Sequence, residues 1–325
     1  MKRALVIPAA IALLCLSSLA WATITIQTVP VGDMGGGSVG YYYKIGTYEV
    51  TAGQYAAFLN AVAAIDTYGL YNAAMWTDSW GCHIQQSGGS GSYTYSVASD
   101  WANRPVNYVS FWDAIRFANW LHNGQPAGAQ SLSTTEDGAY LINGYNGSDG
   151  ATIVRKSGWK WALASGTEWR KAAYYKGGGT NAGYWDYPTK SNTAPGRDMA
   201  DVSGNNANYY GIPHPIDNGK YTTVVGEFQN SPSQYGTFDQ GGNLSEWNDA
   251  IKHQGYHYTH RVVRGGSFAS SVDALRWDQI DGRDWFPMDK SQLVGFRVAA
   301  VPEPSSLLAL AGGLGLILGL RRRKA

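Results

Sequence analysis

Cysteine is almost absent from this chain of 325 residues, which contains only Cys15 and Cys82. This scarcity excludes a disulfide framework and a metal site built on several thiolates. Charged residues are also few, at 15%, and the 25 basic and 24 acidic groups nearly balance. A nucleic-acid-binding surface needs an excess of Lys and Arg for phosphate contacts, so we expect no nucleic-acid partner.

Glycine and aromatic residues, in contrast, are abundant, with 41 Gly, 13 Trp and 22 Tyr. The aromatic side chains supply enough apolar surface for a packed core, which excludes a disordered chain. Glycine-rich stretches such as 87–92 and 176–179 interrupt the patterns of regular structure. We therefore expect a single loop-rich domain of the α+β class.

The N-terminus has the pattern of an export signal. A basic lead at 2–3, an apolar run over 4–19 and the sequence Ala-Trp-Ala at 20–22 predict a cleaved signal peptide over residues 1–22. The alternative is an uncleaved membrane anchor, although the apolar run is shorter than the ~20 residues that a membrane span needs.

The C-terminus carries a second pattern, over residues 302–325. Pro302-Glu303-Pro304 precedes an apolar stretch at 305–320 and a basic cluster at 321–324. This arrangement resembles a PEP-CTERM sorting signal, with a short transmembrane helix and a basic tail. The resemblance implies recognition by an exosortase and export to the cell surface or extracellular matrix of a Gram-negative-type bacterium, after transient anchoring in the inner membrane. A plain tail anchor is the alternative.

Three helix starts share one capping pattern. Thr51, Ser110 and Ser165 are each followed three residues later by a Gln, Asp or Glu that can accept from the backbone, which predicts capping boxes. Short strands are predicted at 41–45, 224–225, 261–263 and 296–300. The apolar residues expected in the core at helical spacing are Tyr55, Phe58, Leu59, Val62, Ile115, Phe117, Ala118, Leu121, Trp169, Ala172 and Ala173.

Six motifs follow one another in a recognisable order. They are IGTYEVT at 45–51, RPVNYVSF at 104–111, LASGTEW at 163–169, GNLSEW at 242–247, RVVRGGSF at 261–268 and GFRV at 295–298. Together they resemble the sulfatase-modifying factor family, the formylglycine-generating enzyme domain, over about residues 29–300. The resemblance implies a variant C-type-lectin-like fold for residues 23–301.

The same resemblance points to an altered active site. In that family, two cysteines after the Arg-Gly-Gly-Ser block bind copper(I), which activates oxygen to oxidise a substrate cysteine to formylglycine. Ser270 and Leu275 stand at the corresponding positions here. Neither offers the soft sulfur ligand that copper(I) prefers, so we expect the family fold without copper and without the oxidase activity.

Histidines, Cys82 and Ser267 are the remaining candidates for a metal ligand or a nucleophile. His253, His257 and His260 have a spacing that could gather three imidazoles on a helix, but the glycine and tyrosines around them favour surface histidines in a loop. Cys82 is expected to be an isolated or intermolecularly paired thiol. Ser267 lacks the Gly-x-Ser-x-Gly pattern of a nucleophile elbow.

Two structural calcium sites are also implied by the resemblance. Each would combine side-chain oxygens with backbone carbonyls, which are donors that suit Ca²⁺. The first set is Asp239, Gly242, Leu244 and Glu246. The second set is Asn208, Tyr209, Asp217 and Gly219. The alternative is that these residues form Asx-type turns without a cation.

The sequence is compatible with two classes of function, a binding domain and an enzyme. Arg264 is a candidate ligand contact, although an arginine before two glycines more often makes an internal ion pair or hydrogen bonds to loop carbonyls. We favour a non-catalytic surface or matrix domain that binds a glycan or a protein. The alternative is a formylglycine-generating-type oxidoreductase with an unrecognised metal arrangement.

Overall fold

The computed structural model describes residues 23–151, 153–254, 258–279 and 285–301. The predicted signal peptide at 1–22 and the predicted sorting tail at 302–325 lie outside the described residues, and so does His257. Within the described ranges, no helix is both long and apolar enough to cross a membrane.

Short helices and strands alternate with long irregular segments. The helices are α1 (Ala52–Val62), α2 (Ala74–Thr77), α3 (Phe111–His122) and α4 (Gly166–Tyr174). The strands are β1 (Thr28–Val31), β2 (Tyr43–Gly46), β3 (Ile84–Ser87), β4 (Thr94–Val97), β5 (Trp161–Leu163), β6 (Ser245–Gln254), β7 (Tyr258–Arg264), β8 (Val294–Phe296) and β9 (Val298–Ala300). Single 3-10 turns lie at Gly36–Ser38 and Val272–Leu275. The mixture confirms the α+β class and the loop-rich character.

The three predicted capping boxes are confirmed. The hydroxyls of Thr51, Ser110 and Ser165 each accept the amide of the third helical residue, at 3.1–3.2 Å, and that residue's side chain accepts the cap amide in return. The apolar positions predicted for α1, α3 and α4 are all buried. Central helix α3 is covered on every side from Phe111 to Leu121.

Three sheets surround these helices. The largest has the strand order β1-β2-β9-β5 and is antiparallel throughout. A second sheet has the order β7-β6-β8, in which β6 and β7 form an antiparallel hairpin while β6 and β8 are parallel. The third is the small hairpin of β3 and β4. The main apolar core lies where α1 and α3 pack together with Trp247 and Phe296 of the second sheet.

Two strand predictions need correction. The stretch 296–300 is divided between β8 and β9, because Arg297 turns the chain from the second sheet into the first. Val224 and Val225 lie in an irregular segment, where the Val225 amide donates to the carbonyl of Asn103 at 3.0 Å. The other two predicted strands overlap β2 and β7.

Candidate functional site

A tight glycine turn follows β7 and positions the segment that contains Ser270 and Leu275. Gly265 and Gly266 have φ values of +95° and +70°, in the left-handed region that favours glycine. A Cβ on Gly265 would lie 2.6 Å from the carbonyl oxygen of Gln240, so no larger residue fits without displacing the backbone. The turn brings residues 267–275 back against the end of the second sheet.

Ser270 and Leu275 both make structural contacts at this turn. The Ser270 hydroxyl accepts the Ser267 amide at 2.9 Å, and its oxygen lies 3.3 Å from the Ser267 hydroxyl oxygen. Leu275 is fully buried and packs in a small apolar cluster with Tyr187 and Ala207. A hydroxyl and an isobutyl group therefore fill the two positions.

Cys82 lies elsewhere in the apolar interior. It is 1% exposed and belongs to the main core with α1 and α3, a different cluster from that of Leu275. Burial raises the pKa of its thiol to about 11. Since the thiolate is the form that binds metal or attacks a substrate, this environment keeps Cys82 inert.

His253 and His260 lie on strands and not in the loop that the sequence favoured, although His253 is exposed at the surface as expected. His253 lies on β6 and His260 on β7, so both belong to the long hairpin. His260 is buried, and its ring centroid lies 4.6 Å from that of Phe286. Neither ring nitrogen has a hydrogen-bond partner among the described residues. Within the described residues, no three His, Cys, Asp or Glu side chains gather as a metal cluster.

Glu246, the glutamate of the first predicted calcium set, accepts hydrogen bonds from the side chains of Arg297 and Trp169. Arg297 donates from Nε to one oxygen of Glu246 and from Nη2 to the other, each at 2.6 Å. Trp169 adds a third hydrogen bond from its indole nitrogen at 2.7 Å. The arrangement of Glu246 therefore fits an internal ion pair better than a cation ligand.

Two more acidic groups lie near that ion pair, the buried Glu49 and the half-buried Asp239. Glu49 accepts from the Asn243 side chain at 2.8 Å and from the Leu244 amide at 3.0 Å. Asp239 accepts from the Gly226 amide at 2.6 Å. Burial, followed by the neighbouring negative charges, raises the pKa of Glu49 well above its usual value, and burial raises the pKa of Asp239 to about 6.

Gly242, a member of the first predicted calcium set, makes backbone contacts that connect two loops. The Gly242 amide donates to the Gly265 carbonyl at 3.0 Å, which joins this loop to the glycine turn. Gly242 has φ +87°, and a Cβ there would lie 2.1 Å from the Asn208 carbonyl oxygen. The two predicted calcium sets are thus in direct contact through Gly242 and Asn208.

The second calcium set contains one unsatisfied ligand atom. Asn208 donates its side-chain amide to the Tyr221 carbonyl at 2.8 Å, while its Oδ1 is buried and has no hydrogen-bond partner in the described part of the chain. Asp217 pairs with Arg104. The Tyr209 carbonyl accepts from Arg197 at 2.7 Å. A cation at Asn208 would satisfy an oxygen that the described protein leaves without a donor.

Gly219 completes the second set and lies in a tight turn. Its φ of +85° places it in the left-handed region, directly before Lys220. The Lys220 amide donates to the Asp217 carbonyl at 2.7 Å, which closes the turn around Gly219. This contact agrees with the alternative that the loop is a hydrogen-bonded turn.

Arg264 ends β7, opposite Glu246 in the hairpin register. Among the described residues it forms no hydrogen bond or ion pair, and its Nε is buried without a partner. Burial lowers the pKa of the guanidinium, and the positive charge of Arg170 lowers it further. Within the described residues the expected internal ion pair or hydrogen bonds of Arg264 are not found, and its role as a ligand contact stays a prediction.

Arg170 and an aromatic pair lie at the part of α4 that faces the glycine turn. A Cβ on Gly265 would lie 3.1 Å from the side chain of Trp169, the residue before Arg170 on α4. The Arg170 guanidinium carbon lies 4.4 Å from the ring centroid of Tyr184 and 4.8 Å from that of Trp277. These two rings are nearly parallel, at 7°, with centroids 5.3 Å apart. The sequence interpretation missed Arg170 and Trp277, although Arg170 and Tyr174 stand four apart on α4, which places them on one helix face.

These features define a loop-rich domain of the formylglycine-generating type. Residues 39–301 match the family described as "Sulfatase-modifying factor enzyme 1-like domain". The chain belongs to this family. Residues 300–324 match the PEP-CTERM protein-sorting motif, which indicates exosortase-mediated sorting to the cell envelope of a Gram-negative bacterium.

Solved structures with a similar fold include three at 20% sequence identity. CarF has a TM-score of 0.55, over 86% of this chain and 100% of that chain. Treponema denticola variable protein 1 has a TM-score of 0.49, over 87% and 98%. PvdO from Pseudomonas aeruginosa has a TM-score of 0.46, over 86% and 92%. At this identity, the likeness to CarF supports the fold alone. No curated protein matches the sequence.

Proposed function

We propose that the chain is an exported, non-catalytic binding protein for a glycan or a protein, built on the sulfatase-modifying factor scaffold. The observation that carries the proposal is the pair Ser270 and Leu275 at the positions of the family's copper-binding cysteines. A hydroxyl engaged with the Ser267 amide and a buried isobutyl group supply no soft donor for copper(I).

The thiol elsewhere in the exported part of the chain gives no support to a rearranged copper site. Cys82 is buried in a different apolar cluster from Leu275, and its pKa is raised to about 11 by burial. Copper(I) binding would require that this thiol ionise and leave the core.

The test is formylglycine formation from a cysteine-containing peptide in the presence of copper and oxygen. We expect the wild-type chain to give no product and no oxygen consumption above a copper-only background. Formylglycine produced by the wild-type chain would overturn the proposal and favour the oxidoreductase alternative.

A double variant makes the negative result informative. Ser270→Cys with Leu275→Cys restores two thiols at the family's positions, and we expect it to compete for copper(I) with a chromogenic chelator. The matched control, Ser271→Cys with Leu275→Cys, has the same number of thiols with one displaced by a residue. Equal copper binding by the wild-type chain and the restored variant would contradict the assignment of these positions.

For calcium, we propose that the second predicted set binds the cation and that the first does not. The support is the buried Asn208 Oδ1 without a donor, against the three hydrogen bonds that already satisfy Glu246. Asn208 would supply a side-chain oxygen, with Asp217 and the carbonyls of Tyr209 and Gly219 as the other donors of the set. Bound calcium would order the loop over residues 208–221.

Calorimetric titration with CaCl₂ tests this site, together with melting curves before and after EGTA. Asn208→Ala is expected to abolish calcium binding and the associated rise in Tm. The matched control is Asn230→Ala, an exposed asparagine that donates to the Val202 carbonyl at 2.8 Å and lies outside the set. Unchanged calcium binding in Asn208→Ala, or no response of the wild-type chain to calcium, would rule out the second set.

We also propose that sorting delivers the domain to the cell surface or extracellular matrix, after a transient stay in the inner membrane through the tail. The support is the PEP-CTERM match at residues 300–324. Fractionation of cells that carry Glu303→Ala tests it, since we expect that variant to accumulate in the membrane fraction. Equal release of the variant and the wild-type chain would contradict it.

A further inference from the structure

Most arginines of the described domain are paired, but Arg264 and Arg170 form no hydrogen bond or ion pair. Arg116 makes a bidentate pair with Glu136, at 2.7 and 3.0 Å. Arg297 pairs with Glu246 in the same way, and Arg261 donates to backbone carbonyls, including that of Gly150 at 2.6 Å. Arg264 is partly buried and has no such partner within the described residues.

The buried Nε–H of Arg264 is costly without an acceptor, because it loses hydration and gains no hydrogen bond in return. Proteins keep such a group where a ligand completes it, since a guanidinium offers a planar fork that matches a carboxylate. The geometry of Arg264 therefore indicates an acceptor that comes from outside the chain.

A second positive charge strengthens this interpretation. Arg170 approaches from α4, and it contacts the Tyr184 and Trp277 rings but forms no ion pair within the described part of the chain. The two guanidiniums repel each other, and an anion between them would turn that repulsion into attraction. Tyr174, four residues along α4, cannot play this role because its hydroxyl donates to the Leu275 carbonyl at 2.9 Å.

The aromatic pair adds a preference for the rest of the ligand. Tyr184 and Trp277 are both partly exposed, and their rings lie within 7° of parallel beside the Arg170 guanidinium. Flat aromatic surfaces beside a charged group suit a sugar ring that carries a carboxylate, because the ring face packs on the aromatic while the carboxylate meets the arginines.

We propose that Arg264 and Arg170 bind the carboxylate of a uronic-acid residue in an acidic polysaccharide, with Tyr184 and Trp277 against the sugar. This inference rests on the proposed binding function and names the chemical class of its ligand. Residues 23–301 carry 19 basic and 23 acidic groups, so general attraction to polyanions does not account for such binding.

The test measures binding of oligogalacturonate to the full-length chain in mild detergent, by calorimetry. Arg264→Gln and Arg170→Gln are each expected to lower the affinity at least tenfold, while Arg264→Lys retains part of it. Added NaCl should weaken binding, since the contact is ionic. Neutral galactose oligomers of the same length are expected not to bind.

The matched control is Arg276→Gln. Arg276 lies next to Trp277 but is paired with Asp278 and Asp186, at 3.3 and 3.7 Å, so its removal should leave the affinity unchanged. Near-ultraviolet circular dichroism of each variant reports whether it is folded. Arg170→Gln keeps the test valid if Arg264→Gln fails to fold, because Arg170 is partly exposed on α4.

Three outcomes would overturn the inference. They are an absence of oligogalacturonate binding, equal affinity of Arg264→Gln, Arg170→Gln and the wild-type chain, or tighter binding of polyglutamate than of oligogalacturonate. The last outcome would assign the site to an acidic peptide. The formylglycine assay is independent of all three, so loss of the ligand assignment and loss of the non-catalytic function would be seen separately.

Discussion

Buried charged side chains of this domain form ion pairs with residues that are distant in the sequence. Arg104 forms an ion pair with Asp217, and Arg297 forms one with Glu246. These partners are separated by 113 and 51 residues along the chain. Spacing in a sequence predicts contacts along a helix or hairpin, and these contacts depend on how distant loops fold together.

Asp249 is expected to make the stability of the folded protein depend on pH. Its carboxylate lies 3.3 Å from Arg155, yet burial raises its pKa to about 6. The folded protein therefore binds this proton more tightly than the unfolded chain. The stabilisation is present below the unfolded pKa of about 3.9 and is lost as the pH rises through about 6.

Asp249→Asn removes this dependence. We expect the unfolding free energy of the wild-type protein, relative to that of the variant, to fall by about 2–3 kcal/mol from pH 4 to pH 7. Urea unfolding at several pH values measures it, with Asp273→Asn as an exposed-acid control. Parallel pH profiles for Asp249→Asn and the wild-type protein would contradict the prediction.

Among the secondary-structure elements, the helix starts were the most predictable, because a capping box depends on residues only three apart. The strands were less predictable from the sequence. The single strand expected at 296–300 became β8 and β9, and the expected loop around His253 became a long hairpin. Their pairing is set by partners in other sheets, which local pattern does not report.

The cap of α3 can be tested directly. Ser110→Ala removes the hydroxyl that accepts the Asp113 amide at 3.1 Å, and we expect a loss of about 1 kcal/mol in unfolding free energy. Ser271→Ala is the control, since Ser271 precedes a 3-10 turn but its side chain makes no cap hydrogen bond. Equal loss in both variants would show that the cap itself does not stabilise α3.

The junction of β8 and β9 gives a stronger prediction. Arg297→Gln leaves the Glu246 carboxylate buried without its ion-pair partner, so we expect a loss of about 3–5 kcal/mol. Adding Glu246→Gln removes the unpaired charge and should recover part of that stability. A double-mutant cycle by urea unfolding measures the coupling, and simple additivity of the two changes would contradict it.

At the scale of the whole molecule, motif order predicted the family and the α+β fold over residues 29–300. It did not predict the surroundings of Arg264, because Arg170, Tyr184 and Trp277 come from separate segments. For the same reason, Cys82 could be predicted to be isolated, whereas its location in the main core needed the structure.

The first residues after the predicted leader contribute to the domain. The backbone of Ile24 exchanges two hydrogen bonds with the Gln125 side chain, at 2.8 and 3.0 Å, and Ile24 and Ile26 pack against the main core. We expect a chain that starts at Thr28 to melt at a lower temperature than one that starts at Thr23. Equal Tm values for the two chains would show that residues 23–27 are dispensable.

The position of β9 has a consequence for biogenesis. This strand lies between β2 and β5, and it ends at Ala300, where the sorting motif begins. The largest sheet therefore lacks an inner strand until nearly all of the domain has been synthesised. The last strand to join that sheet is the segment that leads directly into the sorting motif.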